Sequence, residues 1–467
     1  MFKTLKNAWR IPELKKKLLF TLLIVVLYRL GASIPVPYVN PDTTFGSAAT
    51  QFGQGILQYL NILSGEALGK ATLLALGVSP YITASIVMQL LTIAIPALER
   101  LSKDGEEGRK KITAITRIVT VVLALVTSIG YAMFLNSQGF LLDMFSDGNK
   151  GIIFFRYSVI VACYCAGAAL VMWLAEKIND HGIGNGISII LFANIIAGFR
   201  SMAQSVWDLA TSDKLHIAVG ILLAVVQVLL ILGMIVLIVW MSDAERRIPI
   251  QYAKRVVGRK MYGGQNTNLP LKVNMSGVMP IIFANSIVAI PSTIASFITN
   301  QDNWFVKVIS GDWGFVKNIE NESLRTFVQS LIGFNYNGWI YLVIFLVLLI
   351  AFAFFYVAIS FNPVEVANNI KNNGGAVPGI RSGKPTVDYI KKILNRITLV
   401  GALLVAFIAV FPMIINIVTS YFAATAGLFT AFAFAGSSFM IVVGVALETT
   451  RELEAQMSLR NYKGFLD

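Results

Sequence analysis

The chain has 467 residues, 56% of them hydrophobic and only 13% charged, with a formal net charge of +13. Soluble domains carry about a quarter charged residues, so this composition excludes a soluble globular protein and defines a polytopic membrane protein. Crossing roughly 30 Å of hydrocarbon takes about 20 apolar residues. Ten stretches meet that length, near 18–38, 72–97, 113–135, 152–174, 184–203, 217–240, 275–299, 338–360, 396–418 and 430–448. Backbone groups in lipid must be satisfied within their own segment, which makes these spans helices. The alternation of an outer-membrane barrel is absent.

In chain order, the run Leu18 to Ile34 follows a basic stretch and lacks a small-residue cleavage site before Pro35 and Pro37. It reads as a first span rather than a removable signal. Residues 55–71 are too short and too polar to cross. Ile56, Leu57, Leu60, Leu63 and Leu68 have helical spacing, interrupted by Asn61, Ser64, Gly65 and Gly69. Such a piece is either a half-helix folded back into the molecule or an amphipathic helix on the external face. Next comes Gly77-Val78-Ser79-Pro80-Tyr81-Ile82-Thr83-Ala84, whose pattern G-V-x-P-x-I-x-A returns at Gly277-Val278-Met279-Pro280-Ile281-Ile282-Phe283-Ala284. An echo at an offset of 200 residues points to two related halves, an arrangement that places the working site at their interface. Ile82 and Ile86 share one helix face, and Ile282 is the counterpart of Ile82. These side chains either pack in a bundle or line a dry constriction. Cys163 and Cys165 point to different faces of one span and are expected to pack, not to pair. The run Gly182-Ile183-Gly184-Asn185-Gly186 follows no strand, which argues against a dinucleotide site. It serves as a flexible entry to the fifth span or as a place of close helix packing.

Charge gives the orientation. With the N-terminus inside, 27 of the 38 Lys and Arg fall in cytoplasmic segments and seven on the opposite face, so both termini are expected in the cytoplasm. Two cytoplasmic loops carry more than topology requires. Residues 241–274 hold Arg246, Arg247, Lys254, Arg255, Arg259 and Lys260, and residues 361–395 hold Gly374-Gly375-Ala376-Val377-Pro378-Gly379-Ile380-Arg381 with Lys384. Long basic loops suit an anionic partner such as ribosomal RNA, an acidic protein surface or lipid headgroups. No Asp or Glu lies in the interior of any span, and both histidines (His181 and His216) fall in loops. A proton or ion relay is therefore missing. So are a phosphate-binding loop, a zinc-spaced His pair and a hydrolytic Ser/His/Asp set. This favours a passive conduit over an enzyme, with no cofactor and no metal expected.

Seven stretches carry a resemblance to the SecY family, the channel subunit of the bacterial Sec protein translocon. They are residues 61–91 (NILSGEALGKATLLALGVSPYITASIVMQLL), 104–112 (DGEEGRKKI), 181–190 (HGIGNGISII), 245–255 (ERRIPIQYAKR), 269–287 (LPLKVNMSGVMPIIFANSI), 361–386 (FNPVEVANNIKNNGGAVPGIRSGKPT) and 433–450 (AFAGSSFMIVVGVALETT). The resemblance implies an all-α membrane protein of ten transmembrane helices, in two inverted-repeat halves around a central pore. The halves would be residues 1–205 and 206–450, followed by a cytoplasmic tail, 451–467, with the hinge between spans five and six.

The resemblance also assigns roles. The pore ring becomes Ile82, Ile86, Ile187, Leu191, Ile282 and Ile441, with Leu191 where isoleucine is common. The plug becomes the half-helix 56–70. The lateral gate opens between spans two and seven, with Ser85, Gln89, Asn285 and Ser286 at its front. The two basic loops dock the ribosome and the SecA ATPase, with Arg381 most tied to SecA-driven transport. SecE would clamp the halves, SecG would associate peripherally, and signal sequences and membrane lipids would meet the gate. The implied function is passage of unfolded secretory polypeptides across the bacterial plasma membrane and lateral insertion of membrane proteins. An inverted-repeat secondary transporter and a membrane-embedded hydrolase are the alternatives from other classes. The external stretch 300–337 is longer than usual for the family.

Overall fold

The computed structural model describes residues 2–40, 56–137, 139–142, 150–211, 217–252, 255–257, 260–262, 266–298, 303–311, 325, 328–329, 331–334, 338–420, 432 and 435–463. Most of the external stretch 300–337 lies outside them. Fifteen described helices matter here, labelled in chain order: α1 (Phe2–Arg10), α2 (Pro12–Gly31), α3 (Ile56–Leu63), α4 (Ser79–Ala94), α5 (Pro96–Lys103), α6 (Gly105–Ser137), α7 (Lys150–His181), α8 (Gly186–Ala210), α9 (Ile217–Asp243), α10 (Met279–Phe297), α11 (Trp304–Ser310), α12 (Trp339–Ser360), α13 (Pro363–Asn372), α14 (Lys384–Ser420) and α15 (Ala435–Lys463). Each of the ten apolar stretches overlaps at least one of them. Among the described residues, six helices are long and apolar enough to cross a membrane, or seven if α4 and α5, which meet at 101°, form one broken span.

Packing follows apolar burial. α6 lies on α7, α10 on α12 and α12 on α14, while α8 touches both α9 and α15. One large buried cluster draws on α2, α4, α8, α9, α10, α12, α14 and α15. A smaller one joins Val36 and Leu68 to Tyr131 and Tyr164. The outer faces remain apolar: Leu222, Leu229 and Val236, spaced by seven along α9, are all exposed. Such a stripe suits lipid rather than water.

The glycine run 182–186 serves close packing. A Cβ on Gly186 would lie 1.9 Å from the Ala175 carbonyl oxygen. Asn185 caps α8 by accepting from the amides of Ile187 and Ser188. The chain ends also meet. Ala8, Leu14, Ile183 and Leu453 form one buried cluster. Thr4 donates to Glu454 Oε1 at 2.9 Å, and Lys17 donates to Gln456 at 3.5 Å.

The two basic segments are not simply loops. Residues 245–272 contain β1 (Glu245–Tyr252), β2 (Arg255–Val257), β3 (Lys260–Tyr262) and β4 (Asn266–Lys272). β1 pairs antiparallel with β4 from Glu245↔Lys272 to Gln251↔Asn266, and β2 pairs with β3. On its other edge β1 pairs with β5 (Gly375–Ala376), through Gln251↔Ala376 and Tyr252↔Gly375. The expected loops 241–274 and 361–395 therefore share a three-stranded sheet, order β4-β1-β5. Alternation explains the seating: Ile248 and Ile250 are buried while Arg246 and Arg247 stay exposed. Val377 packs with Ile248 and Leu271.

Candidate functional site

The repeated G-V-x-P pattern is a repeated local structure. Gly77 and Gly277 both adopt left-handed backbone, at φ 54° and 63°, which glycine accepts at little cost. Val78 and Val278 follow at φ −87°, ψ −5° and φ −92°, ψ −10°, each capping the next helix. Pro80 and Pro280 then occupy the first helical turn, where a missing N–H leaves no bond unmade. In each copy the isoleucine amide bonds the capping valine carbonyl, Ile82 to Val78 at 3.0 Å and Ile282 to Val278 at 3.3 Å. Ile82 and Ile282 end equally buried, each 7% exposed.

Five of the six expected ring residues, Ile82, Ile86, Leu191, Ile282 and Ile441, are buried in one apolar cluster. Ile187 is half-buried and packs against that cluster. They come from α4, α8, α10 and α15, so four helices converge on one apolar region.

Residues 56–70 differ from the expected half-helix. The helix ends at Leu63, because Gly65 and Glu66 both take left-handed backbone (φ 67° and 70°) and break the ladder. Turns carry the chain to Ser79, so α4 starts seven residues later than the apolar run from 72. Polar side chains close these turns locally. Asn61 Oδ1 accepts from the Gly69 amide at 2.7 Å, and Ser64 Oγ accepts from the Leu68 amide at 3.0 Å. Ser64, Leu68 and Gly69 are buried, Leu60, Asn61, Leu63 and Gly65 half-buried. Ile56 and Leu57 lie in the helix, but their side chains fall outside the described residues. The segment from Ser64 to Gly69 thus packs into the bundle.

Sequence reasoning missed the residues that hold this segment. Asn194 Nδ2 donates to the Leu63 carbonyl at 2.8 Å and to the Tyr28 hydroxyl at 2.9 Å. Arg29 donates to the Gly65 carbonyl at 3.2 Å. The Tyr131 hydroxyl donates to the Leu68 carbonyl, and that of Tyr164 to Ala71 at 3.3 Å. Of these only Arg29 carried a signal, as a cation inside an apolar run.

At the expected gate, α4 and α10 are in contact. Ser85 and Gln89 are half-buried on α4, 3.4 Å apart between Nε2 and Oγ. Asn285 is buried, and its Nδ2 has no hydrogen-bond partner among the described residues. Ser286 Oγ donates back to the Ile282 carbonyl at 2.7 Å. Beside Gly277 and Val278 opens a cavity of about 380 Å³ with a mixed lining, in which Lys272, Glu448 and Arg451 stand together with Met275, Tyr356 and Leu447. Burial there, with Arg451 nearby, pushes the Lys272 ammonium below the usual lysine range. Of the docking residues, Arg246, Arg247, Arg381 and Lys384 are exposed. Arg255 sits in β2 with its side chain outside the described residues, and Lys254 and Arg259 lie outside them altogether.

A bundle of long apolar helices around one buried aliphatic cluster defines a helical membrane protein. The SecY family model matches residues 72–450, and the chain belongs to the SecY family. The protein translocase subunit SecY of Streptomyces galbus is 42% identical over 470 residues, covering 100% of both chains. That of Mycobacterium bovis is 39% identical over 98% of each. Among solved structures, one described as a protein conducting channel gives a TM-score of 0.60 at 18% identity, covering 94% of this chain and 92% of the other. Sec61 in the canine ribosome-channel complex gives 0.60 at 16% identity, with 95% and 92% covered. The chain is a protein-conducting channel, a multi-pass protein of the plasma membrane, and its family is one of channels rather than enzymes. Nothing in these relationships supports the transporter alternative.

Proposed function

We propose that unfolded polypeptide passes between two pseudo-symmetric halves, residues 1–205 and 206–450, through a collar made by Ile82, Ile86, Ile187, Leu191, Ile282 and Ile441. The observation that carries this reading is the burial of residues from four helices in one cluster, with the two G-V-x-P isoleucines in matching local structure. A ring of aliphatic side chains sheds water when closed and parts for a larger object. Residues 56–70 close the external side as the plug. A signal sequence, an apolar helix, replaces contacts between α4 and α10 and so favours the open state. The Asn285 Nδ2, without a hydrogen-bond partner among the described residues, makes that seam easier to part.

Both termini face the cytoplasm on the positive-inside count. The shared sheet then presents Arg246 and Arg247 to the cytosol, with Arg381 and Lys384 following β5, as a surface for the ribosome and for the SecA ATPase. One solved relative is described in a ribosome-channel complex. SecE would clasp the two halves and SecG would sit at the periphery. The test is a photo-crosslinker at position 82 or 282, with a secretory chain stalled in transit. Adducts at both positions, and none at lipid-facing Val122, are the expected result. Adducts at Val122 alone would overturn the collar.

A further inference from the structure

The α3 helix is tied to the bundle on both sides of Glu66. On the far side, the root is fixed by two tyrosine hydroxyls and by one close backbone approach. Tyr131 and Tyr164 hold the Leu68 and Ala71 carbonyls, and Gly167 admits the Leu73 carbonyl so closely that a Cβ there would lie 2.0 Å from it. On the near side the ties are two side chains. Asn194 holds the Leu63 carbonyl and Arg29 holds the Gly65 carbonyl. Between root and tie lie two consecutive left-handed residues, Gly65 and Glu66, of which only glycine adopts that backbone freely.

The tie also carries a built-in weakness. Asn194 is 0% exposed, and its Oδ1 has no hydrogen-bond partner among the described residues. Rotating the amide cannot relieve it. The Leu63 carbonyl only accepts, so Nδ2 must face it. An orphaned buried oxygen and a left-handed glutamate both raise the energy of the closed arrangement. Release of α3 lets both relax.

We propose that Asn194 and Arg29 form a latch on α3, which swings about Gly65–Glu66 when the latch opens. The strength of the latch sets how good a signal sequence must be to gain entry. The inference rests on reading residues 56–70 as the plug. Asn194 and Arg29 are positioning residues here, acting through the carbonyls of Leu63 and Gly65 rather than on the passing chain.

The test uses the full-length chain in its native complex, with Asn194→Ala, Asn194→Asp, Arg29→Gln and a deletion of residues 56–63. A carboxylate cannot donate to the Leu63 carbonyl, so Asn194→Asp should open the latch as alanine does. The readout is the ratio of export of a reporter with a weakened signal to export with an intact signal, at equal channel abundance. Each substitution loses one net hydrogen bond to the segment, which raises that ratio about fivefold, and substrate-free ion conductance rises with it. A merely structural role would lower abundance and leave the ratio alone. If the Asn194 variants fail to accumulate, Arg29→Gln and Tyr28→Phe decide. An unchanged ratio in these variants, with a leaking deletion, overturns the latch alone. A deletion as tight as wild type overturns the plug reading beneath it.

Discussion

Replacing Ile82 and Ile282 together with asparagine attacks the closed channel at its narrowest expected point and leaves the backbone untouched. Each isoleucine is 7% exposed and lies within the apolar cluster shared by α4, α8, α10 and α15. An amide there must either be buried without a partner or draw water in. Burial unpaired costs about 1–3 kcal/mol for each group. At the low end the pair moves the closed-to-open balance by about 2 kcal/mol, roughly 30-fold. The opposite control is Ile→Leu at both places, a volume-conserving change that costs under about 1.5 kcal/mol and keeps the surface dry. Current through planar bilayers holding the complete complex, without substrate, measures the difference. The asparagine pair should conduct well above wild type and the leucine pair should not. An asparagine pair that accumulates normally and conducts no more than wild type refutes the collar, as does a leucine pair that leaks equally.

Alanine at Gly77 and at Gly277 meets no atom closer than 3.6 Å and pays only for left-handed backbone, about 1–2 kcal/mol in each case. Thermal unfolding in detergent should show nearly equal losses, and clearly unequal ones would argue against equivalent repeats. Gly167→Ala drives a methyl to 2.0 Å from the Leu73 carbonyl oxygen, backbone against backbone. It should cost more than the roughly 1–3 kcal/mol of ordinary overpacking, seen as lost abundance and a lowered melting temperature. A wild-type melting temperature would refute the close approach. Asn285→Leu removes a buried amide with an orphaned Nδ2 and should tighten the seam between α4 and α10. Pulse-chase labelling should show slower export of substrates with weak signals; faster export would contradict the role given to that amide.

Much of the membrane architecture could be read from residues alone, because lipid imposes one rule on every span. The echo at Gly77 and Gly277 was legible because its chemistry is local: a left-handed glycine, a capping residue and a proline in the first turn. The sheet was not. Its inward positions on β1 are only Ile248 and Ile250, too short an alternation to stand out, and β5 has two residues. The end of α3 at Leu63 was hidden as well, since Glu66 gives no hint of left-handed backbone. Least visible were Tyr131 and Asn194. Their partners are main-chain carbonyls, 63 and 131 residues away, and carbonyls leave no mark in a sequence. Between a half-helix folded back into the molecule and one on the external face, residues alone gave no choice; the former rests on family resemblance.

The union of α1 with α15 has a bearing on biosynthesis. Thr4 and its acceptor Glu454 stand 450 positions apart, so α1, which packs on α2 early, gains its contact with α15 only late in synthesis. At about 5–20 residues per second the wait lasts roughly 20 to 90 s. Throughout it Ala8 and Leu14 lack the leucine that later covers them. The seat of α1 is thus finished by a helix made some 450 residues after it.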